Sequence, residues 1–323
     1  MRIRPRTTPA PAPAGSAART RHVLAALAIA GGLAAAGLAA PSSASAASAA
    51  DTTADGSVVV GASVDQAAAA AHWTPAARAA ALAVDSSAAA SRSSILSTSA
   101  ETTATDSAPV PHPDQPFVGV LFYVSGGRNH ACTASVVDTP AGDEIATAAH
   151  CLVDRATGSA TTLATFIPGA QGATAPHGIW PVRVAAVSSS WTTTGRASDD
   201  AGFARVSGPA GEVLAAQVGA AEPVFGSTLV PASGQAPSLA ILGYPAAGSA
   251  SAALEACEGR PQHDAGGQTS LPCELGKGAA GSPVLTFTGE QRSVVARPSA
   301  GRGVLLATWG AEAQRAFSSL QGR

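Results

Sequence analysis

The sequence predicts an all-β domain of about 200 residues, running from residue 116 to residue 323. Three observations predict it. Aromatic side chains are confined to that part: 12 of the 13 lie beyond residue 115, whereas the first 115 residues hold 38 of the 78 alanines and only Trp73. Large apolar side chains supply most of the area that offsets chain entropy, so a core is expected where they are. Beyond Pro116 the apolar runs are short, rich in β-branched residues and separated by turn residues, the pattern of a sandwich or barrel. All four cysteines, Cys132, Cys151, Cys257 and Cys273, fall in the same part, and an even count suits two disulfides.

The elements follow in order. Residues 1–22 carry five arginines, residues 23–40 have no polar side chain, and Ala44-Ser45-Ala46 has the small-x-small spacing of a cleavage site. This is the pattern of an export signal over residues 1–46. A retained anchor is the alternative, although alanine and glycine make the run weakly apolar. Residues 47–115 are rich in Ala, Ser, Thr and Pro and read as a disordered pro-segment or linker. The exception is His72-Trp73-Thr74-Pro75, where Thr74 can N-cap a short helix with Pro75 at its first position.

Strands are expected at Phe117–Val124, closed by the turn Ser125-Gly126-Gly127, and then at Thr133–Val137, Glu144–Ala149, Thr162–Ile167, Val182–Val187 and Gly202–Val206. Further strands are expected at Leu239–Leu242, Val284–Phe287, Ser293–Val295 and Val304–Thr308. Only Ala311–Leu320 has helical spacing, with Ala313, Phe317 and Leu320 on one face.

Charge excludes one class of function. The formal net charge of −2 includes the five arginines of the export signal; without them 14 basic residues face 21 acids, a balance of −7. A mildly acidic body whose single lysine is Lys277 has no basic stripe for a phosphate backbone, so nucleic-acid binding is not expected.

The chemistry centres on Thr147-Ala148-Ala149-His150-Cys151. This segment resembles the trypsin-like serine peptidase family, in which such a string presents the general-base histidine beside a disulfide. The resemblance implies that Cys132 pairs with Cys151, closing a loop worth about 3 kcal/mol in the chain-entropy model. A zinc site from Cys132, His150 and Cys151 is the competing reading, and no Cys-x-x-Cys pair supports it. The second element is Ser198-Asp199-Asp200-Ala201-Gly202-Phe203-Ala204-Arg205-Val206. It is similar to the family's acid-then-strand segment, and alignment of its apolar positions selects Asp200 as the carboxylate that holds the histidine tautomer. A turn aspartate is the plainer reading.

The third element, Gly278-Ala279-Ala280-Gly281-Ser282-Pro283, resembles the family's Gly-x-Ser-Gly-Gly-Pro loop, with Ser282 in the second glycine's place. The nucleophile's position holds Ala280, which has no hydroxyl to activate. Making Ser282 the nucleophile would shift the register and leave no glycine after it. The resemblance further implies an oxyanion hole from the amides of Gly278 and Ala280, which depends on no side chain. It implies a specificity-pocket position at Glu274, otherwise a solvated loop acid, and a second disulfide between Cys257 and Cys273. Where the family has a Ser-Trp-Gly strand this chain has Val294-Val295-Ala296-Arg297-Pro298, and the proline removes a donor.

Phe166-Ile167-Pro168-Gly169, His177-Gly178-Ile179-Trp180-Pro181 and Gly243-Tyr244-Pro245 look like the secreted bacterial, glutamyl-endopeptidase-like branch. The branch also carries a pro-region segment like Trp73-Thr74-Pro75. The resemblance implies two packed six-stranded antiparallel β-barrels with the site between them, a short C-terminal helix, and no cofactor or metal. It leads to the expectation of a secreted, extracellular monomer without stable membrane association, which binds peptides or proteins and is catalytically impaired at Ala280. A working endopeptidase, cutting after basic residues where Glu274 lines its pocket, and an unrelated exported β-domain are the other readings.

Overall fold

The computed structural model describes residues 50–52, 56–61, 66–83, 109–112, 115–208, 211–245, 253–264, 266–276, 278–299, 303–321 and 323. The expected export signal lies outside the described residues. The N-terminal part contributes β1 (Ala50–Thr52), β2 (Ser57–Gly61), α1 (Gln66–His72), α2 (residues 75–83) and β3 (Val110–Pro111). Then come β4 (Val118–Ser125), β5 (Arg128–Val136), β6 (Glu144–Ala148), the small hairpin β7 (Val153–Asp154) and β8 (Ser159–Ala160), β9 (Thr162–Pro168), β10 (Trp180–Ser188), α3 (Ser189–Thr194) and β11 (Ala201–Val206).

These strands close a six-stranded antiparallel barrel. The pairing runs β10-β11-β6-β5-β4-β9, and Trp180 opposite Phe166 and Pro181 opposite Thr165 join its two ends. Phe122, Phe166, Ile167, Ile145 and Leu121 are buried in it, which accounts for strands that read as nearly continuous apolar runs. One barrel strand departs from its expected start by more than two residues. β5 begins at Arg128 rather than Thr133, because Arg128, Asn129 and His130 complete the hairpin with Ser125, Val124 and Tyr123. Polar residues near a hairpin tip carry no hydrophobic signal, so the apolar pattern finds only the deeper half of the strand.

After α4 (Leu214–Val218) the second sheet is built from β12 (Glu222–Pro223), β13 (Leu239–Gly243), β14 (Glu255–Gly259), β15 (Gln262–His263), β16 (Thr269–Leu271), β17 (Pro283–Leu285), β18 (Glu290–Pro298) and β19 (Val304–Leu306). Its order is β15-β16-β19-β18-β17-β13-β14-β3, with β12 parallel to the start of β18. Among the described residues no pairing joins the two ends. The second unit is therefore a curled half-barrel, and its edge strands β15 and β3 are two residues long. The Cys257–Cys273 disulfide ties β14 to the segment following β16.

The chain ends in α5 (Ala311–Ser318), whose Ala313 and Ala316, together with Leu320 beyond it, are buried. Phe317 packs on Phe203 and Phe225 at ring-centroid distances of 5.4 and 5.2 Å, and both of these rings also meet Trp309, so the helix is docked against β11 by an aromatic cluster. No helix among the described residues is long and apolar enough to cross a membrane.

Part of the segment expected to be disordered is ordered. β2 adds to the barrel's β10 over five register pairs, from Ser57 opposite Ser188 to Gly61 opposite Val184. Three consecutive β-branched residues, Val58-Val59-Val60, give it strand character that alanine-rich surroundings mask. The Thr74 cap forms as expected: its Oγ1 accepts from the Ala77 amide at 3.2 Å. Trp73 is fully buried against Phe122, and its Nε1 donates to the Leu163 carbonyl at 2.6 Å.

Candidate active site

The register of two strands brings His150 and Asp200 together. β6 ends at Ala148 and β11 begins at Ala201, and these two residues are direct antiparallel partners. The residue that leaves one strand therefore lies beside the residue that enters the other. A 3₁₀ turn over Ala149–Cys151 lifts His150 off β6, and another over Ala197–Asp199 delivers Asp200 to β11. The Ala149 amide bonds the Asp200 carbonyl at 3.2 Å. Gly202 permits the approach, since a Cβ there would lie 2.9 Å from Ala149 Cα.

The pair is fully formed. Asp200 Oδ2 lies 2.8 Å from His150 Nδ1, and Asp200 Oδ1 accepts from the His150 backbone amide at 3.0 Å. Asp200 is 6 % exposed, whereas the His150 side chain is 38 % exposed. A buried carboxylate that accepts from Nδ1–H fixes the tautomer and the orientation of the imidazole. The adjacent disulfide, Cys132–Cys151, fastens the histidine turn to β5. The sulfurs of Cys132 and Cys151 lie close to the imidazole, but a disulfide sulfur is not a thiolate and this trio holds no metal.

The Ala280 loop arrives from the half-barrel. Thr133 on β5 fastens it: its amide donates to the Ala280 carbonyl at 2.8 Å, and its Oγ1 donates to the Gly278 carbonyl at 3.0 Å while accepting from the Tyr244 amide at 2.9 Å. The Gly281 amide bonds the Val295 carbonyl at 2.7 Å and the Ser282 amide bonds the Ala279 carbonyl at 3.0 Å. Gly281 has φ +82°, and a Cβ there would collide with the Thr133 carbonyl and Thr147 Oγ1, so glycine is required. Among the described residues the amides of Gly278 and Ala280 donate to nothing.

His150, Gly278 and Ala280 line one cleft of about 210 Å³, together with Tyr123, the Cys132 end of the disulfide, Ala296, Arg297 and Pro298. Two residues singled out from the sequence lie elsewhere. Ser282 is fully buried, its Oγ pressed against Gly243 with no hydrogen-bond partner among the described residues, so the shifted register has no reactive hydroxyl in the cleft. Glu274 is exposed and not part of this lining, because the alternation of buried Cys273, exposed Glu274 and buried Leu275 turns it outward. Sequence reasoning missed Thr133 and gave Arg297 no part in the site. The first had no signal beyond following Cys132; the second was visible as a cation beside the proline that breaks the strand pattern.

The solved structures similar to this one share a fold. The protease Anisep from Arthrobacter nicotinovorans matches with a TM-score of 0.59 and 24% identity over 65% of this chain and 97% of its own. A thermostable serine protease, AL20, from an extremophilic microorganism matches with 0.59 and 23% over 65% and 100%. A Glu endopeptidase matches with 0.54 and 16% over 69% and 100%. The chain has the trypsin-like serine protease fold. No protein-family model matches the sequence, and no curated protein sequence does. In a trypsin-like fold the barrel and half-barrel meet at the line where Thr133 holds the Ala280 loop, and the cleft opens there. The cleft of this chain holds a histidine–aspartate pair, and Ala280 lies in the same lining as His150.

Proposed function

We propose that this protein is an extracellular homologue of the trypsin-like serine peptidases that binds peptides or proteins without cutting them. The observation that carries the proposal is the alanine methyl of Ala280 in the cleft that His150 lines. Removing the nucleophile from a histidine–aspartate–serine system costs about a millionfold in turnover, roughly 8 kcal/mol of transition-state stabilisation. Among the described residues nothing else in the cleft replaces it: the lining has no serine or threonine, Tyr123 carries the only hydroxyl, and both cysteines near His150 are joined. The loop and the amides of Gly278 and Ala280 are the parts of the apparatus suited to recognise a peptide carbonyl, while the His150–Asp200 pair, the general-base part, has no hydroxyl at Ala280 to activate. An extracellular setting suits two disulfides and the N-terminal export pattern.

The test is direct. The purified protein is expected to leave a serine-directed fluorophosphonate probe unreacted, and Ala280→Ser is expected to acquire both labelling and peptide-bond hydrolysis. Labelling of the unaltered protein on any residue of the cleft would sink the proposal.

A further inference from the structure

We propose that the N-terminal segment, residues 57–83, is a permanent strap of this protein rather than a removable leader, and that His72 is the positioning residue through which it holds one wall of the cleft. The inference stands whether or not the cleft cuts peptides. It starts from an edge that the barrel strands leave open. Among the described residues β10 meets β9 only at Trp180 and Pro181, and on the same side its stretch from Val184 to Ser188 is paired by β2. Without β2 that stretch would present unpaired amides and carbonyls to other chains. The covering continues past the strand. Trp73 is fully buried, its ring 5.3 Å from that of Phe122, and Arg78, also buried, donates through Nε to the Ala173 carbonyl at 2.9 Å. A tryptophan and an arginine buried against the barrel make the segment part of its core.

The strap also reaches the cleft. Tyr123 on β4 and Ala131 on β5 line it, and both belong to the hairpin that turns at Gly126 and Gly127. Each strand of this hairpin is gripped. On β4, Trp73 packs on Phe122, the residue before Tyr123. On β5, His72 Nε2 donates to Asn129 Oδ1 at 3.0 Å, and the next residue, His130, stacks on Tyr123 with ring centroids 5.3 Å apart and planes 22° from parallel. The His72 imidazole meets the Trp73 ring edge-on at 4.7 Å, so the two grips form one unit. A separate tie, Ser125 Oγ to Asp154 Oδ2 at 2.8 Å, holds the β4 side of the tip, while His72 serves the β5 side ahead of His130 and Ala131. A hairpin that turns through two glycines at positive φ has little local rigidity of its own, and contacts from outside decide how often it opens.

Two experiments test the two halves, and neither needs a ligand or catalysis. For the strap, a recognition sequence for a site-specific protease is inserted after residue 99, the full protein is cut there, and the product is run on a size-exclusion column under native conditions. The N-terminal piece is expected to co-elute with the domain; its release from a soluble domain overturns the inference. For the wall, amide hydrogen exchange is followed by mass spectrometry in His72→Ala, Asn129→Ala and the double variant. Exchange across residues 123–131 is expected to quicken by about fivefold in either single variant, the factor that one net hydrogen bond carries, while β13 and β17 in the half-barrel keep the parent rates. The double variant is expected to go no further than the singles, since all three remove the same bond. His72→Gln keeps a donor for Asn129 and is expected to restore most of the protection, which it would not do if the histidine only filled space. Unchanged exchange at the hairpin, a rise spread evenly over both sheets, additive effects in the double variant, or failure of glutamine to restore protection overturns the positioning role of His72.

Discussion

Thr133 is the residue on which the geometry of the cleft turns. Its side-chain oxygen joins Gly278 to Tyr244, its amide holds Ala280, and its carbonyl accepts from Thr147 Oγ1 at 2.7 Å, so one buried residue of the barrel sets the loop of the half-barrel. Thr133→Val keeps the shape and removes the hydroxyl, leaving the Gly278 carbonyl and the buried Tyr244 amide without partners. A loss of roughly 2–4 kcal/mol is expected, measured by chemical denaturation, with Thr133→Ser close to the parent. An unchanged midpoint for the valine variant would mean that the loop is held by other contacts. Ser282 makes the opposite prediction. Its Oγ is buried without a partner among the described residues, so Ser282→Ala is expected to be neutral or to stabilise by up to roughly 1 kcal/mol. It is also expected to leave the activity gained by Ala280→Ser intact. Ala280 itself was legible in the sequence, because the glycines and proline around it fix the loop's register; Thr133 was not, because a threonine in a strand carries no mark of what its hydroxyl holds.

At the level of elements, the strands that the sequence announced are those with branched apolar side chains on a buried face. β14 and β16 were not announced, since Glu255, Glu258 and Thr269 break up their short apolar stretches and their order comes from pairing with β13 and β19. Nor was β2, whose three valines are stabilised by the free edge of β10, a tertiary partner that local sequence cannot reveal. The ordered N-terminal segment is part of the fold. Arg78 is buried on α2, with Nη1 donating to the Trp73 carbonyl at 2.5 Å and Nε to the Ala173 carbonyl at 2.9 Å, which clamps the segment to the loop before β10. Trp73→Ala is expected to cost about 3–5 kcal/mol, the usual range for a buried aromatic reduced to alanine. A protein shortened to begin at residue 109 should lose comparable stability through exposure of Phe122 and the β10 edge. Thermal unfolding at the parent midpoint for both variants would show that residues 57–83 are a removable appendage.

The molecule as a whole is held together by polar contacts that cross between its parts, and one of them titrates near neutrality. Ser135 Oγ of the barrel donates to Gln291 Oε1 of the half-barrel at 2.9 Å. At the far side Gln321, just past α5, donates through Nε2 to Glu144 Oε1 and Oε2 at 2.8 and 3.0 Å, and Arg205 reaches the carbonyl of Arg323. Glu144 starts β6, the strand that leads into the His150 turn, and it is buried beside Asp143, which pairs with Arg183 at 2.7 Å and Arg205 at 2.9 Å. Burial, and then the neighbouring Asp143 charge, push the Glu144 carboxyl up to about 7, against the opposing pull of Arg205 and Gln321. An unfolded glutamate releases its proton near pH 4.3–4.5, so across the window up to about 7 the folded state holds a proton that the unfolded state has lost. Stability from this group is thus fully present below pH 4.5 and declines as pH rises through 7. The change is on the order of 3–4 kcal/mol, since the carboxyl moves from 4.5 to about 7 and one pKa unit corresponds to about 1.4 kcal/mol. Glu144→Gln removes the ionisation and retains a group able to pair with Gln321. Denaturant midpoints from pH 5 to pH 8 are expected to fall less steeply for the variant than for the parent, the two converging near pH 5 and the variant being the more stable at pH 8. Parallel curves would mean that Glu144 stays ionised in the folded protein, compensated by Arg205. In that case the contact between the chain's end and the barrel would be an ion-pair network, and added salt rather than acid would be the variable that weakens it.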